Sequence, residues 1–230
     1  MPRSFSDLVL PSAVLWDMDG TLIDTEPYWM AAETELVEAH GGVWTHQDGL
    51  SLVGNPMMVS AAVLRERGVD LPLEEIVDFL NRRVAASVAA ELPWQPGAQQ
   101  VLVDLHDAGV PMALVTSSFR MLADPFATAA GLFDVVVSGD EVSRAKPDPE
   151  PYLTAARLLG VDIADCLAIE DSRAGIASAL ASGAHAVAIE VMQPVAAQPG
   201  LTRIASLSDL TLPTVARIAA GEVLDLRRAG

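Results

Sequence analysis

Two aspartates separated by one residue, Asp17 and Asp19, close the apolar run Ala13-Val14-Leu15-Trp16 and lead into Gly20-Thr21. An apolar run that stops at two carboxylates and a glycine predicts a buried strand emptying into an active-site loop. On an extended strand, side chains two apart point to the same side. Carboxylates that close repel each other, and a hard divalent cation such as Mg2+ is the simplest compensation. A carboxylate beside such a metal can attack phosphorus, and the second can move a proton for the leaving oxygen. A short Asp-x-Asp-Gly also opens calcium loops, but those continue with further Asp or Asn ligands and a Glu. Here Thr21-Leu22-Ile23 follow.

A second chemical signal is compositional. The chain has 14 basic residues, of which Lys146 is the only lysine. Lysine offers a compact point charge with rotatable donors, suited to sitting between a carboxylate and a phosphoryl oxygen. The alternative is an exposed lysine before the turn Pro147-Asp148-Pro149. The formal charge of -17 leaves no basic stripe for a nucleic-acid backbone, so an anionic substrate needs a local exception to the global field. A single cysteine, Cys166, excludes an internal disulfide and any multi-cysteine metal site. The four histidines are scattered without ligand spacing. No apolar stretch approaches a membrane span, and Met1-Pro2-Arg3-Ser4-Phe5-Ser6-Asp7 lacks a signal-peptide core, which together predict a cytoplasmic protein.

The elements that would position these residues alternate. Strand-like runs at Ala13–Trp16, Met112–Val115, Val135–Val137, 167–169 and 186–189 are separated by helical patterns at 97–108, 119–130, Glu150–Leu159 and Arg173–Ser182. That alternation predicts an α/β fold, a doubly wound parallel sheet with helices on both faces, whose ligands bind at the carboxyl ends of strands. Three runs end in polar groups: the first at Asp17, the second at Thr116-Ser117-Ser118, the fourth at Glu170-Asp171. Thr116-Ser117-Ser118 reads equally as a polar turn, and Glu170-Asp171-Ser172 could simply cap the helix that follows. Between the first strand and Gly97 the pattern is helical throughout. Asp24-Thr25-Glu26-Pro27 is a helix-start signal with a capping side chain, an early acid and Pro just inside. Further helices are expected from Asn55-Pro56 to Gly68 and from Pro72 to about Leu92, and a last one from Pro213. Residues 25–96 are therefore expected to form an all-helical cap inserted into a core made of 1–24 and 97–230.

Asp17-Met18-Asp19-Gly20-Thr21-Leu22-Ile23-Asp24, then Thr116, then Lys146-Pro147, then Glu170-Asp171, resembles the haloacid dehalogenase-like superfamily. The resemblance is to the helical-cap branch that holds phosphatases and beta-phosphoglucomutases. It implies that Asp17 is the nucleophile forming an aspartyl-phosphate, and that Asp19 is the general acid and then the base. It implies that Thr116 and the Ser117 backbone N–H bind phosphoryl oxygens and that Lys146 bridges Asp17 and the phosphoryl group. The implied Mg2+ ligands are Asp17, the Asp19 carbonyl and Asp171, with Glu170 a ligand through water or a supporting partner.

The cap should carry specificity. Its loop Leu52-Val53-Gly54-Asn55-Pro56-Met57-Met58 corresponds to the family's substrate-recognition loop, so Gly54, Asn55 and Trp29 are candidate substrate contacts beside Ser117. Trp29, Met57 and Met58 could equally pack the cap against the core. The mutases carry an arginine and a histidine where Asn55-Pro56-Met57 and Trp29 stand here, although Arg65, Arg67, Arg82 or Arg83 could compensate. The cap has no lysine for a phosphonate hydrolase's Schiff base. The expected activity is thus a phosphatase acting on a small phosphorylated metabolite, a sugar or polyol phosphate. A beta-phosphoglucomutase-like transfer and a non-catalytic phosphate-ligand-binding protein are the alternatives. The expected state is a monomer or weak dimer, with a cap that closes over the substrate.

Overall fold

The computed structural model describes residues 8–53, 55, 57–191 and 194–227. Six strands form one sheet: β1 (Ala13–Trp16), β2 (Met112–Val115), β3 (Val135–Val137), β4 (Cys166–Glu170), β5 (His185–Ile189) and β6 (Leu201–Ile204). Every pairing is parallel, in the order β3-β2-β1-β4-β5-β6. Strand order runs outward in both directions from β1 and β4, so their carboxyl ends form the crevice where such sheets bind ligands. Trp16 lies opposite Leu114 on one side and Ile169 on the other. Asp17, Thr116 and Glu170 are therefore brought to one edge by register alone.

β1, β2 and β4 are buried along their whole length, as expected for parallel strands covered on both faces. Val14 and Trp16 face a core shared with α5 (Ala98–Asp107), α6 (Arg120–Ala130) and α9 (Leu212–Ala219). Ala13 and Leu15 face a second core, with Tyr152 of α7 (Glu150–Leu159) and with Ile176 and Ala179 of α8 (Arg173–Ser182).

Among the described residues four helices precede α5: α1 (Glu26–Ala39), α2 (His46–Leu50), α3 (Met57–Glu66) and α4 (Leu73–Ala90). They pack on one another, and α4 also packs on α6, so Leu36, Leu64, Ile76 and Leu80 belong to the same apolar cluster as Trp16, Leu114 and Phe126. The chain enters and leaves this helical layer as a pair of adjacent segments. Asp24 N–H donates to the Pro93 carbonyl at 2.8 Å, and Gln95 N–H to the Leu22 carbonyl at 2.9 Å.

Two elements depart from expectation. α2 has no apolar periodicity; a capping box makes it, with Asp48 N–H donating to Thr45 Oγ1 (3.2 Å) and Thr45 N–H to Asp48 Oδ2 (3.0 Å). β6 follows the loop ending at Gly200, and its Thr202 and Arg203 interrupt the apolar signal. The Arg203 guanidinium instead ties this edge strand to Asp225 (2.8 Å) and to the Val195 carbonyl (3.0 Å).

Among its described residues the helical layer buries one acid. Glu33 is 6% exposed and accepts from Trp44 Nε1 at 3.2 Å. Burial pushes its carboxyl from 4.5 up to about 7, with Glu26 adding to the rise and the Trp44 bond opposing it. Between these values the folded chain holds a proton that the unfolded chain releases, so this group's contribution to stability is lost as pH rises from about 4.5 to 7. Glu33→Gln keeps the acceptor for Trp44 without the charge. Its unfolding free energy is expected to match the parent's near pH 4.5 and to exceed it by up to about 3 kcal/mol at pH 8, as read by urea titration at both pH values. A difference that does not change with pH would contradict this.

Candidate active site

β1 ends at Asp17, which is buried, and the turn after it is shaped by close approach. Gly20 has φ +85°, and a Cβ there would stand 2.2 Å from Asp171 Oδ2. The position admits only glycine, both for its backbone and for the carboxylate beside it. Thr21 Oγ1 donates to Asp171 Oδ1 at 3.2 Å.

Lys146 reaches back from the loop after β3 with its side chain 2% exposed. Its ammonium donates to Asp17 Oδ1 (2.7 Å), the Val115 carbonyl (2.9 Å) and Glu170 Oε1 (2.5 Å). All three of its N–H bonds are thereby committed. The ring of Tyr152 lies 5.2 Å from the ammonium, centroid to nitrogen, and its hydroxyl donates to Glu170 Oε1 at 2.7 Å. Ser172 Oγ donates to Glu170 Oε2 at 3.1 Å. Glu170 is wholly buried and bonded on both oxygens, which makes it the anchor of the lysine.

Asp19 is held differently. Thr25 Oγ1 donates to its Oδ1 at 2.7 Å, while Ser118 Oγ (2.7 Å) and Thr116 Oγ1 (3.3 Å) donate to its Oδ2. Thr116 Oγ1 also accepts the Ser118 N–H at 2.9 Å. Thr25 makes no side-chain cap to α1, contrary to the capping signal in the sequence, because its hydroxyl is turned to Asp19.

Charge decides what this arrangement can hold. Asp17, Glu170 and Asp171 each offer an oxygen within 4.8 Å of the others, and the Lys146 ammonium pairs with two of them, Asp17 and Glu170. Burial raises the Asp17 carboxyl well above the usual range, and Glu170 and Asp171 add to this more than Lys146 relieves it. Asp171 is pushed up to about 7 by burial and then by Glu170. Burial lowers the basicity of Lys146, but Asp17 and Glu170 outweigh it and hold the ammonium charged. Asp19 is raised by burial, with the three hydroxyls opposing the shift. An all-oxygen cluster with surplus negative charge fits a hard divalent cation.

Of the residues expected to act together, Asp17, Lys146, Glu170 and Asp171 form one group of bonds and close carboxylates, and Asp19 and Thr116 are bonded to each other in a second. Ser117 is exposed beside it. Trp29 is partly buried against the apolar core, and the Asn55 amide donates to the Ser51 carbonyl at 3.4 Å. Among the described residues no hydrogen bond ties either of them to the carboxylates, and Gly54 lies outside the described residues. Thr25 and Ser118, which the sequence marked only as a helix cap and part of a polar turn, belong to the site, as do Tyr152 and Gly175, which it did not mark. A Cβ on Gly175 would stand 1.9 Å from Glu170 Oε1. Gly175→Ala must displace that carboxylate from Lys146 and Tyr152, and is expected to cost about 1–3 kcal/mol of stability together with a fall in any Lys146-dependent turnover. Unchanged thermal unfolding would refute the close approach.

A model of the haloacid dehalogenase-like hydrolase family matches residues 11–183. The chain is 34% identical over 196 residues to the bifunctional riboflavin kinase/FMN phosphatase of Arabidopsis thaliana, an alignment covering 82% of this chain and 51% of that protein. It thus spans about half the length of that relative. It is 32% identical over 191 residues to hexitol phosphatase A of Escherichia coli (strain K12), covering 76% of this chain and 81% of that one. The crystal structure of CbbY from Rhodobacter sphaeroides in complex with phosphate superposes with a TM-score of 0.76 at 25% identity, covering 87% of this chain and 96% of that chain.

Proposed function

Since the chain belongs to the haloacid dehalogenase-like hydrolases, we propose that it is a Mg2+-dependent phosphatase of small sugar or polyol phosphates that works through a phosphorylated Asp17. The observation that carries this is the pairing of unlike carboxylates. Asp17 is gripped by a buried ammonium, whereas two residues on Asp19 is held by hydroxyls alone. The first suits an oriented nucleophile and the second a proton carrier with a raised pKa.

In this mechanism Lys146 fixes Asp17 Oδ1, leaving the other oxygen to attack phosphorus. A carboxylate meets a phosphate dianion with repulsion of roughly 4 kcal/mol per unit-charge pair at 4 Å and an effective dielectric near 20. Lys146 offsets part of this. A divalent cation held by Asp17 and Asp171, when bound, supplies the remaining charge compensation on the transferring oxygens. Asp19 gives its proton to the leaving oxygen and then takes one from the water that attacks the acyl phosphate. Thr25, Thr116 and Ser118 keep its carboxyl in place between the two steps. Residues 25–96 act as a cap on the paired segments around Asp24 and Gln95, closing over the substrate and excluding water until the aspartyl-phosphate forms.

Hydrolysis is favoured over a mutase cycle by the cap cations. Arg67 pairs with Asp48 at 2.9 Å, and Arg83 Nε with Glu35 at 2.8 Å, so neither is poised to hold a second phosphate. Similarity to a hexitol phosphatase supports the ester class. The test is release of inorganic phosphate from a panel of sugar, polyol and nucleotide monophosphates with and without Mg2+. Release that depends on added Mg2+ and is greatest for a sugar or polyol ester is expected. Release that requires a bisphosphate activator would point to the mutase instead.

A further inference from the structure

Ser178 on α8 is wholly buried and takes no part in the chemistry above. A serine inside a helix ordinarily turns its hydroxyl back on its own backbone or out to water. Ser182, one turn on, does the first: its Oγ donates to the Ala179 carbonyl at 2.7 Å. Ser178 instead reaches off the helix and donates to the Asp148 carbonyl at 2.6 Å. Asp148 closes the turn that carries the lysine, its N–H donating to the Ala145 carbonyl at 3.0 Å with Lys146 and Pro147 between them. The same face of α8 also seats a partner of that lysine. Gly175, three residues before Ser178, is the position where a Cβ would meet the Glu170 carboxylate, and Glu170 Oε1 accepts from the Lys146 ammonium.

One helix face thus holds both ends of the contact: Gly175 admits the Glu170 carboxylate, and Ser178 anchors the turn from which Lys146 reaches it. Other bonds of the turn come from its own neighbours in the chain and move with it, Arg144 to the Asp148 carboxylate at 3.0 Å and the Glu150 N–H to Asp148 Oδ1 at 2.9 Å. The Ser178 bond refers the turn to a different element. We propose that Ser178 is a positioning residue for Lys146, setting through the Asp148 carbonyl how far the ammonium reaches towards Asp17 Oδ1. Alanine fits the same buried space and is the better helix former, so packing alone does not call for a hydroxyl here. The kinetic consequence rests on the phosphatase reading, whereas the placement of the lysine does not.

Lys146 is the only lysine, so protein made with lysine 13C-labelled at Cε gives a single side-chain signal, which reports the ammonium's place against the Tyr152 ring 5.2 Å away. The experiment compares that signal, and kcat on para-nitrophenyl phosphate with Mg2+, in the parent, Ser178→Ala and Ser182→Ala. Ser178→Ala is expected to move the lysine signal and to lower kcat about tenfold, the scale of a sub-ångström misplacement. Ser182→Ala removes a buried hydroxyl of the same helix whose bonds stay within residues 179–184. It is expected to leave the signal in place and kcat within about twofold of the parent's. A lysine signal unmoved in Ser178→Ala overturns the inference, as does a kcat within about twofold of the parent's, or the same changes in Ser182→Ala. A parent that fails to hydrolyse the aryl ester overturns the phosphatase reading, and the lysine signal then still decides whether Ser178 positions Lys146.

Discussion

Asp17→Asn is expected to lower phosphate release by about 10⁴-fold or more, the scale on which removal of a catalytic nucleophile acts, while leaving the fold as stable as the parent's or more so. Asparagine keeps the shape of the side chain and an acceptor for Lys146, but its amide cannot attack phosphorus. The stability half follows from the surplus of charge. Burial and the neighbouring carboxylates Glu170 and Asp171 disfavour ionised Asp17 more than Lys146 favours it. Removing that charge leaves Lys146 paired with Glu170 and relieves the repulsion. Thermal unfolding in the absence of divalent metal reads this directly, alongside phosphate release at saturating ester and Mg2+. A variant that keeps a tenth of parental turnover, or unfolds well below the parent, contradicts the assignment.

Lys146→Ala is expected to fail in both respects. Turnover should fall by about 10²–10³, the effect of losing one preorganised electrostatic contact. The fold should lose about 3–5 kcal/mol, because Asp17 and Glu170 are left buried with no cation between them. The Val115 carbonyl also loses its ammonium donor. Urea unfolding and steady-state kinetics separate the two effects. Near-normal turnover would remove Lys146 from the mechanism, and unchanged stability would show that its partners are solvated. A second substitution, Glu170→Gln with Lys146→Ala, should recover part of the stability by removing one orphaned charge and none of the turnover.

The residues at strand ends were legible in the sequence because chemistry and position coincide there. Asp17, Thr116 and Glu170 each terminate an apolar run, and a parallel sheet necessarily brings the carboxyl ends of neighbouring strands to one edge. Lys146 stood out as the lone lysine, and burial between two carboxylates is the physical reason a point charge is used there. Tyr152 was not legible. On α7 it looks like any apolar-face residue, and its bond to Glu170 exists only once β4 and α7 are packed. Thr25 was noticed for the wrong reason: the threonine before a helix signals a cap, whereas its hydroxyl here goes to Asp19. Trp29, partly buried against the core, shows the packing role that the sequence left open beside substrate contact. β6 was missed because an edge strand with one guanidinium bonded to the tail needs no continuous apolar run.

The proposal that phosphate passes through Asp17 is tested most directly in Asp19→Asn with para-nitrophenyl phosphate and Mg2+. An aryl leaving group needs no proton from Asp19, but attack of water on the acyl phosphate does need its base. The expected result is a burst of one nitrophenolate per enzyme followed by near-arrest. After acid quench and peptide mass spectrometry, one phosphoryl group should be found on the peptide holding residue 17. Steady turnover without a burst, or a phosphoryl group on any other residue, would contradict an aspartyl-phosphate at Asp17.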